Sequence, residues 1–245
     1  MIYKLKNNAR RFGKLIHILS SIAYWPAIGL RVFPAIEHES LFKVYSFDTI
    51  IDVGANVGQF AVVSAVLAPN SRIYSFEPIK SCFTKLKRIS RSYPVISPYC
   101  YALGSIDSSV EINVSSYVGS SSILDFAYAQ ERAYPGTSLL RKEEITVRSL
   151  SSIIDHLLIE GTTLLKLDVQ GFELEVLKGA EQVISRISHI YLEGSFIELY
   201  KEQPLIGDIL GWLERFGFEL RGVFNIDNGA DMLPVQADFL FVRTI

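Results

Sequence analysis

At 245 residues, with 49% hydrophobic and 20% charged residues, the chain suits one large α/β domain with a sizeable core, and this balance excludes a disordered chain. The net charge of −2 gives no global case for a nucleic-acid partner. The only cysteines, Cys82 and Cys100, are unclustered, which argues against a disulfide scaffold and a zinc site and makes a reducing, cytoplasmic compartment the expectation.

Residues 1–34 hold six of the 24 basic residues (Lys4, Lys6, Arg10, Arg11, Lys14 and Arg31) and no acid. Leu5, Ala9, Phe12, Ile16, Leu19 and Ala23 share one helical face, with Lys6, Arg10, Lys14 and His17 on the other side. Pro26 is expected to end this helix. The apolar run Leu15 to Leu30 is broken by His17, Ser20, Ser21 and Pro26, so it is too short and too polar to span a bilayer. No small-residue cleavage site marks a signal peptide. The favoured expectation is a helix that packs on the domain and keeps its charges in water. Peripheral contact of residues 1–34 with an anionic membrane surface is the alternative. Residues 1–40 form this segment, and 41–245 form the domain.

Thr49-Ile50-Ile51-Asp52-Val53 is β-branched and apolar, as a buried strand requires. Gly54 and Gly58 then permit a tight turn and close approach of backbone to a ligand. A helical pattern runs from Gln59 to Leu67 until Pro69. A strand feeding a helix through a glycine loop offers free N–H groups at the carboxyl edge of a sheet. Asn56 stands where the dinucleotide fingerprint has its middle glycine. The D-x-G-x-x-x-G spacing instead resembles the first motif of class I S-adenosylmethionine-dependent methyltransferases.

Arg72 to Phe76 reads as the next strand, followed by Glu77-Pro78. Glu77 comes 25 residues after Asp52, near the offset of roughly 20 at which an acid meets ribose hydroxyls. Helix Ile79–Arg91 and strand Val95–Tyr99 complete a βαβαβ rhythm, the mark of a parallel doubly wound sheet. Val110 to Val114 alternates like a short added strand or hairpin. Ser115 to Glu144 is rich in Ser, Tyr and Gly, with weak periodicity, and reads as a long insertion suited to substrate contacts.

Leu164 to Gly171 is a buried strand ending in Asp168, with Phe172, Val176, Leu177 and Ala180 on the helix behind it. Ile190 to Glu193 is another strand ending in an acid. Helix Ile206–Phe216 stops at Gly217. Phe218–Phe224 and Ala237–Val242 are the last two strands. The loop Asn225 to Pro234 is short enough for a hairpin, so they pair antiparallel. The pattern predicts a doubly wound, Rossmann-like sheet of seven strands with the last antiparallel, preceded by a helical extension.

Asp52-Val53-Gly54-Ala55-Asn56, Phe76-Glu77-Pro78, Leu165-Lys166-Leu167-Asp168-Val169-Gln170-Gly171-Phe172-Glu173 with Val176-Leu177-Lys178-Gly179-Ala180, and Asp238-Phe239-Leu240-Phe241-Val242 together resemble the FkbM family of methyltransferases. The resemblance runs in order from about Asp48 to Arg243. It implies the class I methyltransferase fold, S-adenosyl-L-methionine as cofactor, and methylation of hydroxyl oxygens on sugars, glycans or polyketide-type products. It implies cofactor contacts from Asp52, Gly54, Ala55, Asn56, Gly58, Gln59, Phe60, Glu77, Pro78, Tyr101, Ala102 and Asp168. Gln170 stands where many members have Glu, which counts against a base at that position.

Two strand-end carboxylates, Asp168 and Glu193, point at the same edge and are the candidate catalytic bases. Asp168, nearer the methyl group on this analogy, has as its other role holding the cofactor amine or the turn at Gly171. Glu193 has as its other role a hydrogen bond to a neighbouring loop. Glu173, one turn into a helix, suits the helix N-terminus better than catalysis. His189 precedes its strand and points away from the site end. Lys166 alternates with Asp168 and is placed to pair with a carboxylate. No His/Cys/Asp cluster has metal spacing, though two carboxylates could collect Mg²⁺. A Rossmann oxidoreductase, disfavoured by the absent middle glycine, and a non-catalytic cofactor-binding partner subunit are the rival functions.

Overall fold

In chain order the strands are β1 (Thr49–Val53), β2 (Arg72–Phe76), β3 (Ile96–Tyr99), β4 (Ala102–Leu103), β5 (Ser108–Ser115), β6 (Leu139–Arg148), β7 (Thr163–Leu167), β8 (His189–Ser195), β9 (Phe218–Asn228) and β10 (Pro234–Arg243). Seven of them form one sheet in the order β3-β2-β1-β7-β8-β10-β9. The first five are mutually parallel, and β10 runs antiparallel to both neighbours. This is the predicted sheet, with its last strand reversed. The computed structural model describes residues 13–116, 118–134, 136–229 and 232–244. The expectations for Lys4, Leu5, Lys6, Ala9, Arg10, Arg11, Phe12 and Tyr117 lie outside the described residues.

Strand alternation sends side chains to two helical layers. Ile51, Val53, Leu165 and Leu167 pack with Val176, Leu177, Trp212 and Leu213 on one face. Ile50, Ile73 and Leu164 pack with Phe60, Ala61, Leu86 and Ile89 on the other. Helices Gln59–Leu67 and Lys80–Ser92 lie on this second face, and helices Glu173–Gly179 and Ile206–Glu214 on the first. The strand order reverses between β1 and β7, and such a switch point opens a crevice at the carboxyl ends of the strands.

The structure departs from expectation in three places. The stretch expected to be irregular, Ser115 to Glu144, holds a helix, Tyr128–Ala133, and the outer half of β6. A second sheet of order β4-β6-β5 results. The outer half of β6 pairs only with β5, and its charges face solvent, as in the Lys142–Glu111 contact at 3.5 Å, so it lacks the apolar alternation that marks a strand. β9 and β10 also reach further than predicted, taking in Asn225, Asp227 and Gln236 as strand residues. Their polarity reads as a loop in sequence. In the fold it faces a cavity.

The leading segment is the third. Residues 13–20 are helical, and Pro26 lies at the start of a short helix, Trp25–Gly29, rather than at the end of the first. Proline's preset φ and missing N–H suit the first turn. Tyr24, Ala27 and Val32 are buried on the second face. Tyr93 ties the segment down by donating to the Ala23 carbonyl at 2.7 Å.

Candidate active site

Backbone geometry places the glycine loop. Val53 and Leu167 are partners across β1 and β7, and the next N–H, that of Asp168, donates to the Val53 carbonyl at 3.1 Å. Gly54 has φ +78°, and a Cβ on it would lie 1.9 Å from the Asp168 carbonyl oxygen. Only glycine fits. The N–H groups of Gly54 and Ala55 both donate to the Phe76 carbonyl, at 3.1 and 3.0 Å. Asn56 is left-handed too (φ 50°), and its N–H donates to Glu77 Oε2 at 2.9 Å. The other carboxylate oxygen of Glu77 accepts from the Ile79 N–H at 2.8 Å. Burial pushes the Glu77 carboxyl up to about 7, against the pull of these two N–H groups.

Beside the loop lies a network of charge. Asp52 is fully buried, and the Lys166 ammonium stands 3.5 Å from it and 3.4 Å from Asp168. The Phe60 ring faces the same ammonium, with its centroid at 5.5 Å. Burial raises the Asp52 pKa, and Lys166 opposes the rise. Burial also works against the Lys166 charge, but Asp168 and Asp52 outweigh it and raise its pKa. Removing the lysine would strand a buried carboxylate, at a cost of about 3–5 kcal/mol.

The Gln170 side chain joins the two predicted catalytic carboxylates. Its Nε2 donates to Asp168 Oδ1 at 2.9 Å and to Glu193 Oε2 at 2.7 Å, while its Oε1 accepts from the Tyr200 hydroxyl at 2.6 Å. Gln236 Nε2 also reaches Glu193 Oε2, at 3.2 Å. Burial, and then the Asp168 and Asp238 charges, raise the Glu193 pKa well above the ordinary carboxylate range. Glu173 has the structural place expected of it. Its Oε1 accepts from the N–H groups of Val169 and Gly171, at 3.1 and 3.2 Å, and clamps the turn.

The opposite wall comes from distant parts of the chain. His38 Nδ1 lies 3.0 Å from the Tyr191 hydroxyl, which donates to Asp238 Oδ2 at 3.0 Å. Asn225 Nδ2 donates to the same oxygen at 2.7 Å. Burial lowers the His38 pKa, with Asp238 opposing, which favours the neutral imidazole. The Tyr134 hydroxyl stands 2.7 Å from Gln236 Oε1 and 2.8 Å from Asp227 Oδ2.

These walls enclose a polar cavity of about 430 Å³. Of the predicted catalytic and cofactor-binding residues, Gly54, Ala55, Asn56, Gln59, Phe60, Glu77, Asp168 and Glu193 line it, together with Lys166, Gln170 and Asp238. Pro78 and Ala102 line a narrower apolar slot with Phe76, Leu103, Ile112, Val169 and Phe172, and Gly54 and Glu77 border both spaces. Asp52, Gly58 and Tyr101 line neither. Asp52 lies beneath Lys166, Gly58 abuts Leu86, and the Tyr101 ring packs on Phe76 and Tyr99. His189 lines neither cavity and packs on Tyr45 and Phe47. Sequence reasoning missed Glu37, His38, Asn225, Asp227 and Gln236, all of which line the cavity. Gln236 and Asp238, two apart in a strand otherwise apolar from Val235 to Val242, carried a readable signal: buried polar groups on one strand face need partners. His38 carried none. Among the described residues, no group of three or more His, Cys, Asp or Glu side chains is arranged to hold a metal ion.

Two curated relatives carry methyltransferase names. Methyltransferase 1 of Beauveria bassiana is 26% identical over 147 residues, covering 54% of this chain and 58% of the relative. The hexuronic acid methyltransferase AglP of Haloferax volcanii is 26% identical over 152 residues, covering 60% of this chain and 55% of the relative. The chain thus spans less than two-thirds of either relative's length. Among solved structures, the FkbM methyltransferase of Methylobacillus flagellatus superposes with a TM-score of 0.51 at 17% identity, over 80% of this chain and 44% of that one. Its likeness establishes the fold. Residues 52–220 match the methyltransferase FkbM domain, most of the chain and every motif from the glycine loop to the second strand-end acid, so the chain belongs to the FkbM methyltransferase family, whose cofactor is S-adenosylmethionine.

Proposed function

We propose that the protein transfers a methyl group from S-adenosylmethionine to a hydroxyl oxygen of a sugar or glycan, or of a related natural product. The observation that carries this reading is the Asp168–Gln170–Glu193 bridge on the wall of a polar cavity beside the glycine loop. The residues present fit the cofactor. Glu77 borders both spaces, and each of its oxygens has one backbone partner, leaving acceptor capacity for a ribose diol. The apolar slot suits a purine in chemistry, and the absent Cβ of Gly54 keeps the loop close to both. When bound, the cofactor supplies a methyl group already activated by its sulfonium.

The chain's own part is to hold an acceptor oxygen in line and to take its proton. Glu193 is the better base of the two acids, because burial and the neighbouring Asp168 and Asp238 charges raise its affinity for a proton. Gln170 holds Glu193 beside Asp168 without adding a third negative charge. Ser120, Tyr134, Thr137 and Gln236 line the cavity with donors and acceptors of the kind that bind a sugar rim. The aromatic and hydroxyl-rich insertion therefore reaches the place where an acceptor would lie. The named activity of the Haloferax relative on a hexuronic acid supports the sugar class.

The test is transfer of tritiated methyl from S-adenosylmethionine to a panel of neutral sugars, uronic acids and glycan extracts, with the product's linkage read by mass spectrometry. An O-methyl ether is the expected product. Label on nitrogen or carbon would overturn the acceptor class, and no transfer to any extract would overturn the reading as an enzyme.

A further inference from the structure

The leading segment leaves an apolar stripe uncovered. In the helical residues 13–20, Ile18 is buried, whereas Leu15, Ile16 and Leu19 are exposed, followed by Ile22 and Trp25. These five side chains keep between 40% and 73% of their surface. Leu15 and Leu19 share one helix face by their i, i+4 spacing, and Ile22 opens the short 3-10 turn that follows the extended Ser21. The Trp25 indole N–H donates to the Leu19 carbonyl at 3.0 Å, which sets the ring beside Leu19 and satisfies its only donor. A ring so satisfied can enter an apolar phase with no unpaired donor. A clustered apolar surface of this kind marks an interaction site.

We infer that this stripe docks the protein peripherally on an anionic lipid bilayer. Charge complementarity selects the occupant. The stripe lies in the 34 residues that hold six bases and no acid, within a chain whose net charge is −2. Among the described residues Arg31 follows it and Lys14 lies on it, paired with Glu37 at 3.0 Å, while Lys4, Lys6, Arg10 and Arg11 precede it in sequence, so the positive excess comes mainly from those four and Arg31. An apolar stripe with basic neighbours is the composition of a helix lying in a headgroup interface. A second copy of the chain would bring the same positive charges face to face, which opposes self-association through this face. No helix among the described residues is long and apolar enough to cross a membrane, so the contact is one of lying on the surface.

The arrangement also joins membrane to cavity. Phe33 is 55% exposed, and two residues later Ala35 lines the cavity, followed by Glu37 and His38. At most about 7 Å of chain separates Phe33 from the cavity wall. The Ala35 N–H donates to the Gln59 carbonyl at 3.2 Å, which anchors that short span to the start of the helix after the glycine loop. A docked segment thus holds the cavity close to the bilayer, where an acceptor carried on a lipid would be presented.

The experiment is co-sedimentation of the full chain with vesicles of phosphatidylcholine alone and of phosphatidylcholine with phosphatidylglycerol in two-to-one proportion. Binding is expected on the anionic vesicles, weakening as salt rises. The double variant Leu19→Glu/Ile22→Glu should bind about tenfold more weakly or less, since it removes two buried-phase anchors and adds repulsion. Both side chains are exposed, so an unchanged thermal midpoint would verify that the variant folds. Three results would overturn the inference: no binding of the wild type to anionic vesicles, equal binding of the double variant, or a dimer by light scattering that the double variant abolishes.

Discussion

The cavity wall from the glycine loop after β1 to Glu77 after β2 is held by backbone N–H groups, and the wall made by β8, β9, β10 and the leading segment is held by side chains. On the first wall, Gly54, Ala55, Asn56 and Glu77 are placed by N–H groups donating to Phe76 and to Glu77 itself. Their partners lie within about two dozen residues of one another. On the second, His38 meets Tyr191 across 153 residues of sequence, and Tyr134 meets Gln236 across 102. A backbone-held wall tolerates little change in shape. A wall of side chains is adjustable, and so suits the part that differs from one acceptor to another.

The sharpest way to break this comparison is at Gly54. The substitution Gly54→Ala adds one Cβ, which would lie 1.9 Å from the Asp168 carbonyl oxygen, at a φ of +78°. Either β1 and β7 part or the loop rebuilds. Cofactor binding should be lost in calorimetry, and thermal unfolding should report a destabilisation of about 3 kcal/mol. An unchanged midpoint with normal affinity would mean that the loop is not the rigid wall described.

This division also explains what could be read in the sequence. The number of strands in the main sheet and the reversal of the last one followed from the βαβ rhythm and from the hairpin at the end, because burial on both sheet faces forces apolar runs. The first wall was legible because glycine spacing and strand-end acids are local signals. The pairing of Asp168 with Glu193 followed only from both strands ending at one edge, and no local signal marked Gln170 as the bridge between them. The polar strand ends of β9 and β10 read as loop, because a strand lining a wet cavity loses the apolar alternation. His38 was invisible, since nothing local marks a residue whose partners arrive from β8 and β10.

A narrower effect, on rate rather than on fold and binding together, separates chemistry from binding across the two walls. Glu193→Gln keeps shape and removes the proton acceptor. If Glu193 is the base, kcat should fall by about 10²–10⁴-fold, with cofactor affinity little changed, and the acid limb of the rate profile should vanish. Asp168→Asn touches the first wall as well, through Lys166 at 3.4 Å, so it should lower both kcat and cofactor affinity. Equal behaviour of the two variants would erase the assignment of Glu193 to the acceptor side.

The smallest expected effect concerns Glu77. Its carboxyl is pushed up to about 7 by burial, above the ordinary value of about 4.3. Folding therefore favours the protonated form. This contribution to stability is fully present below about pH 4 and is lost as pH rises through about 7. A ribose diol donates hydrogen bonds and needs the ionised form, so binding works in the opposite direction. Cofactor affinity should rise with pH up to about 7, by at most about tenfold per unit, and then level off. In Glu77→Gln, affinity should drop by about 1–3 kcal/mol, the scale of hydrogen bonds to a charged group. Its pH curve should also lose this slope. Because the cofactor's own amine titrates identically in both proteins, the difference between the two calorimetric curves isolates Glu77. A difference that stays constant from pH 5.5 to 8 would show that the ribose does not meet this carboxylate, and the backbone-held wall would then serve another part of the cofactor.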